Sequence, residues 1–324
     1  MTFPDWGWSI HVVFLIALSV LVSSAFCALI SPAYLRWVRK FEPQSRILLL
    51  RVFITAPLLG GIALGLMASL PSLSHVSRLP LDHCHDPAGC FGGYNAHVVS
   101  NFEFSVVLLL VSLFVWALFK ANKQKRRSDF INLKIKSASQ GDQIKNVRVI
   151  DADSPVAFSV GLLRPFIVVS TGLMDQLSAI ESKVVYAHEA AHVVNKDNLY
   201  KFIFALVANF HLPNIGKTFL DEHALSIELR ADAYAAGQVR SPVVIAEAIL
   251  SVQRIVQSHP LSGGGVLSHF SGSAIEQRIG FLLGNTRGIK LGNRSLVLSF
   301  FGVLCLMGLG AVPFHNLLEN VISL

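Results

Sequence analysis

Charge is scarce in this chain. Only 15% of its 324 residues are Asp, Glu, Lys or Arg, against 52% that are hydrophobic, and the mean hydropathy is +0.55. A soluble globular domain carries roughly a quarter charged residues, so that class is excluded for the chain as a whole. Acidic groups are the scarcer sign, 20 against 27 basic, for a net charge of +7. Cysteine is nearly absent: Cys27 and Cys305 fall in apolar runs and read as packing residues, while Cys84 and Cys90 share one polar loop where a disulfide can persist. There is no internal repeat and no low-complexity tract.

What is abundant is uncharged apolar sequence. Segments 10–30, 52–70, 104–119 and 296–312 carry almost no ionisable residue, and each approaches the ~20 residues that cross a bilayer core. The first is not a secretory signal. It lacks a basic start, Asp5 being the only charged side chain ahead of it, and it is long for an apolar signal core. Arg36, Arg39, Lys40 and Arg46 lie between the first two segments, and Lys120, Lys123, Lys125, Arg126 and Arg127 follow the third. Arg287, Lys290 and Arg294 precede the fourth, whereas the loop between the second and third has only Arg78. The positive-inside rule then predicts four transmembrane helices, with both termini outside and residues 121–295 cytoplasmic. The basic run 120–127 reads as a membrane edge, and no direct nucleic-acid partner is expected. The division is a three-span region at 1–120 with an external loop at 71–102, a cytoplasmic domain at 121–295, and a fourth span with a short external tail at 296–324.

Inside the cytoplasmic segment stands His188-Glu189-Ala190-Ala191-His192, an H-E-x-x-H. Helical residues four apart share a face, so both imidazoles can reach one Zn2+, and Glu189 can reach a water on it as general base. Ser178 and Glu181 form an S-x-x-E capping box ahead of it, with no Gly or Pro from there to His192. The missing cysteines exclude a thiolate site. A catalytic zinc needs a third protein ligand, and Glu228 is the candidate. Asp232, four residues on, can orient a ligand histidine. Taken alone, Glu228 and Asp232 would read as a solvated helix face paired with Arg230; behind an H-E-x-x-H the metal reading is favoured.

The rest of this domain predicts an α+β fold in which helices dominate. Residues 130–139 suggest a short amphipathic helix, 147–150 a strand, and 157–161 a run into a turn. Residues 166–170 are a strong β run and a candidate edge strand for pairing with an extended substrate. Residues 199–210 are apolar but too short to span. A second active-site helix is expected over 219–237, stopped by Gly237, with further helices over 243–257 and 274–283.

Ser154-Pro155, Phe158, Gly161-Leu162-Leu163-Arg164-Pro165-Phe166-Ile167-Val168-Val169, the H-E-x-x-H with Asp197-Asn198, and Glu228-Leu229-x-x-Asp232 together resemble the BlaR/MecR family of integral-membrane zinc metallopeptidases. The resemblance implies a gluzincin-type bacterial inner-membrane enzyme that cleaves a cytoplasmic transcriptional repressor in response to a signal. It implies His188, His192 and Glu228 as zinc ligands, Glu189 as general base, Asp232 as the residue supporting a ligand, and Asp197 as a structural acid after the helix. Ala231 stands where that family has cysteine, which is also similar to the HtpX and CaaX-type membrane proteases. The alternative is therefore an HtpX-like quality-control protease. A scaffold with a structural zinc is a third reading, disfavoured because a structural site has no use for Glu189. About a dozen residues follow the fourth span, so no penicillin-binding sensor domain is expected there. The expected partners are a protein substrate and the lipid bilayer. His83, Cys84, His85, Cys90 and His97 form an external cluster that is either a clamped loop or a sensor. His223, His259, His269, Tyr234 and Arg278 are the candidates for an oxyanion donor.

Overall fold

The structure, a computed structural model, describes residues 6–69, 101–142, 146–258, 272–284, 288–291 and 302. Apart from Gly302, the fourth apolar segment lies outside the described residues, as do the Cys84/Cys90 cluster, His259 and His269.

Two long helices open the chain, α1 (Trp6–Val38) and α2 (Pro43–Ser69). They fold back on each other as an antiparallel hairpin. Gly61 and Gly65 let the backbones meet: a Cβ on Gly61 would lie 2.4 Å from Val20 Cγ2, and one on Gly65 would lie 2.4 Å from Ile16 Cα. Small residues four apart are how apolar helices approach closely when lipid, not water, surrounds them. The third helix, α3 (Asn101–Ala138), is continuous for 38 residues. The separate amphipathic helix expected over 130–139 is its extension, because no Gly or Pro interrupts the run. Among the described residues three helices are long and apolar enough to cross a membrane: Val12–Val38, Pro43–Leu66 and Val107–Arg127.

A four-stranded sheet follows, of β1 (Ser139–Asp142), β2 (Val147–Ile150), β3 (Ala157–Val160) and β4 (Phe166–Ser170), in the order β1-β2-β4-β3. β2 and β4 are parallel; the other two pairs are antiparallel. All five residues of β4 are buried. The expectation that β4 is an edge strand is therefore wrong: its uninterrupted apolar run is that of a strand covered on both faces, and β3 is the edge.

After a single turn, α4 (Thr171–Met174), comes α5 (Ala179–Val194). Its capping box is formed as expected, with Ser178 N donating to Glu181 Oε2 at 2.8 Å and Glu181 N donating back to Ser178 Oγ at 3.3 Å. Lys196, left-handed at φ 51°, turns the chain into α6 (Asp197–Val207). One 3-10 turn leads to α7 (Pro213–Val239), then α8 (Pro242–Ser258) and α9 (Gly272–Leu282). The stretch expected at 199–210 is thus α6 and its 3-10 turn, with Phe204 and Ala208 packed into a core against α2. Gly237 does not stop α7. The stop is Arg240, left-handed at φ 58°, just before Pro242, which cannot continue a helix.

The hairpin and the α6–α7 unit share one core of Cys27, Leu49, Leu50, Phe53, Phe204 and Phe219, with the Phe53 and Phe219 rings stacked at 4.2 Å. Pro57 has no amide hydrogen to give the Phe53 carbonyl four residues back. In the adjoining turn His211 Nε2 donates to the Ile54 carbonyl 3.1 Å away. Polar ties lie beside the core. Arg39 and Arg46 hold the buried Glu222, and Arg51 stacks over Tyr200 and donates to His223 Nε2 at 3.3 Å. Helix α7 is therefore fixed to the membrane hairpin a turn before it reaches Glu228.

Candidate metal centre

Helices α5 and α7 cross so that His188, His192 and Glu228 converge. His188 Nε2 lies 3.2 Å from His192 Nε2 and 3.3 Å from Glu228 Oε2, and His192 Nε2 lies 3.7 Å from the same oxygen. Zinc bonds of ~2.0–2.1 Å at tetrahedral angles require ligand atoms about 3.3 Å apart. The triangle has that size before any ion is placed in it. The ligand atoms of His188, Glu189 and His192 also lie within 4.8 Å of one another. Glu228 is the better third ligand, because Glu189 is adjacent in sequence to His188 and left in the position of a base.

Both imidazoles are held from behind. Asp232 Oδ1 accepts from His188 Nδ1 at 2.9 Å, and Asp197 Oδ2 accepts from His192 Nδ1 at 2.8 Å. Each carboxylate is in turn held by an arginine. Arg278 donates to Asp232 through Nε and Nη2, both at 2.7 Å, and Arg230 donates to Asp197 Oδ1. Two matching chains result, His188–Asp232–Arg278 and His192–Asp197–Arg230, and both leave Nε2 facing the centre. Such supports fix the tautomer and ring orientation of a metal ligand.

The electrostatics fit a cation. Burial opposes the charge on Glu228, but His192, His188 and Lys201 outweigh it and hold the carboxyl well below its usual range. Burial likewise works against protonated histidine. Even so, the surrounding carboxylates raise His188, chiefly through Asp232, and push His192 up to about 10, chiefly through Glu228. The carboxylates thus favour positive charge at the centre. Two imidazole nitrogens and a carboxylate oxygen, with no thiolate beside them among the described residues, make a donor set of zinc type.

The structure brings His188, His192 and Glu228 together and sets Asp232 behind His188. Asp197 does more than expected, since it orients His192 itself; its place five residues after that histidine was the available signal. Arg278 commits Nε and Nη2 to Asp232, while its Nη1 lies 4.0 Å from Glu228 Oε2, beside the centre. His223 is removed from the oxyanion role: it is fully buried and engaged with Arg51, and burial followed by the Arg51 charge lowers it to about 3. Tyr234 is exposed on α7, two residues beyond Asp232. Lys201, not singled out by the sequence pattern, sits 3.5 Å from Glu228 Oε1.

Comparison with known proteins agrees with this geometry. Residues 121–259 match the model of peptidase family M48. Over 70 residues the chain is 37% identical to the protease HtpX of Legionella pneumophila (strain Corby), covering 21% of this chain and 25% of that protein. Over 59 residues it is 39% identical to the protease HtpX of Thioalkalivibrio sulfidiphilus, covering 18% and 20%. The chain therefore spans about a quarter of the length of the curated relatives it matches. These likenesses support a membrane metallopeptidase of the M48 type, and they do not single out the BlaR/MecR arrangement.

Proposed function

We propose that this chain is a membrane-anchored zinc metalloendopeptidase of the HtpX-like kind, acting on protein at the cytoplasmic face of a bacterial inner membrane. The observation that carries the reading is the ligand triangle of His188, His192 and Glu228, with both Nδ1 atoms already occupied. A zinc ion held there supplies Lewis acidity, making a water acidic near neutral pH and polarising a scissile carbonyl. Glu189, at the centre and only 9% exposed, takes the proton from the attacking water and passes it to the leaving amine. His188, His192 and Glu228 fix the geometry, and Asp232 and Asp197 hold the imidazoles in the orientation that turns Nε2 to the centre. The outer edge of β3, up to the Ser159 carbonyl that Asn198 occupies, is the surface along which an extended peptide can add as a strand. The basic residues flanking the hairpin and α3 support the cytoplasmic placement. Cleavage of a transcriptional repressor draws no support from the relatives, and the HtpX-type alternative does.

The test is Glu189→Gln. It should lower cleavage of an unfolded model protein by at least about a thousandfold, because a base and proton shuttle is lost, while zinc content stays at one per chain. Residual cleavage near the parent rate would refute the proposal.

A further inference from the structure

A cavity of about 310 Å³ opens beside the centre. Its wall is built from three elements: Lys125 at the end of the Val107–Arg127 stretch of α3, Ser159 and Gly161 on β3 and its turn, and Asn198, Lys201 and Phe202 on α6. Lys201 Nζ is 3.5 Å from Glu228 Oε1, so the cavity adjoins the ligand triangle. Two lysines line it, and none of its lining residues carries a carboxylate.

The strand edge leads into this space. Ser170 N donates to Val156 O, so Val156 faces β4. With a period of two, Ala157 and Ser159 then turn their main chain to the open side. At Ser159 that side is closed, because Asn198 Nδ2 donates to the Ser159 carbonyl at 2.9 Å. A peptide laid along β3 therefore ends its main-chain pairing at the cavity mouth. Its next side chain, or its terminus, is delivered between Lys125 and Lys201. Two like charges in one small cavity favour an anionic occupant.

We propose that this cavity is a carboxylate-recognising subsite, with Lys125 and Lys201 as specificity-determining residues, so that substrates are chosen by an acidic group at one fixed position from the cut. The inference rests on the peptidase reading above. The carboxylate has two sources, an Asp or Glu side chain or the C-terminus of the peptide.

The experiment uses the full-length, zinc-loaded protein in detergent and a fluorogenic peptide series carrying Asp, Asn or Lys at each position in turn, with free and amidated C-termini. At one position Asp should exceed Asn by about tenfold in kcat/KM, mostly through KM, as a binding interaction retained in the transition state does. Lys125→Glu should reverse the preference toward Lys. A preference that survives amidation assigns the side chain, and one that vanishes with it assigns the terminus. Equilibrium binding of the Asp and Asn peptides to zinc-loaded Glu189→Gln gives a second readout without turnover. Equal affinities there, together with unchanged preferences in Lys125→Glu, would overturn the subsite. An affinity difference without any cleavage by the parent would keep the subsite and overturn the peptidase reading.

Discussion

Asp197 offers the sharpest test of how the centre is held. It is 1% exposed, accepts from His192 Nδ1 at 2.8 Å, and is the partner of Arg230, whose side chain is only 12% exposed. Asp197→Asn keeps the shape but halves the accepting capacity: the amide oxygen can serve the histidine or the arginine, and the amide NH2 faces the other. Two costs follow. Loss of a carboxylate behind a ligand histidine weakens metal binding by ~10–100-fold, or about 1.4–2.7 kcal/mol. Leaving a buried guanidinium without its counter-charge costs about 3–5 kcal/mol of folding stability, less where water reaches it. The variant should therefore bind zinc at least about tenfold more weakly in competition with a chromophoric chelator. It should also melt at a lower temperature in metal-saturated detergent solution. Zinc affinity within about twofold of the parent would refute the role given to the His192–Asp197–Arg230 chain, since losing the carboxylate behind His192 is expected to weaken binding at least about tenfold. A lower melting temperature with unchanged affinity would show that Asp197 serves only to neutralise Arg230.

Other outcomes follow from single contacts. His223 has an ordinary value of 6.5 and is lowered to about 3 by burial and Arg51, so below pH 6.5 the unfolded chain binds a proton that the folded chain refuses. Stability should fall as pH drops from there, by up to about 1.4 kcal/mol per unit, and His223→Gln should flatten the slope; parallel melting curves for parent and variant would count against it. Gly65→Leu should disrupt the α1–α2 hairpin, since its Cβ would sit 2.4 Å from Ile16 Cα; an unchanged protease-resistance pattern in detergent would contradict the packing. Gly237→Ala has open space around its Cβ inside α7 and should stabilise by about 0.5–1 kcal/mol, read as a higher melting temperature. Ser178→Ala removes the cap of α5 and should cost about 1 kcal/mol; no change in melting would show the box to be incidental.

Sequence alone determined the parts of this protein that depend on local spacing. The i, i+4 pair His188 and His192, the adjacent Glu189, the Ser178–Glu181 box and the Glu228–Asp232 pair all concern residues within a turn or two, where helix geometry leaves little freedom. The charge-poor helices were legible for the same reason, because hydrophobicity summed over twenty residues has few alternative uses. The tertiary structure decided what depends on pairing across distance. It assigned β4 to the middle of the sheet and β3 to the edge, because strand order is set by which faces are buried, and a five-residue apolar run does not say which neighbours it has. It gave Asp197 to His192, Arg230 to Asp197 and Arg278 to Asp232, because side chains from four helices can meet in several combinations. Only the packing of α5, α6, α7 and α9 selects one. It also set Arg39, Arg46 and Arg51 against Glu222 and His223. In the sequence Arg39 and Arg46 read as flanks of membrane spans; in the fold, with Arg51, they tie the α1–α2 hairpin to the helix that carries Glu228.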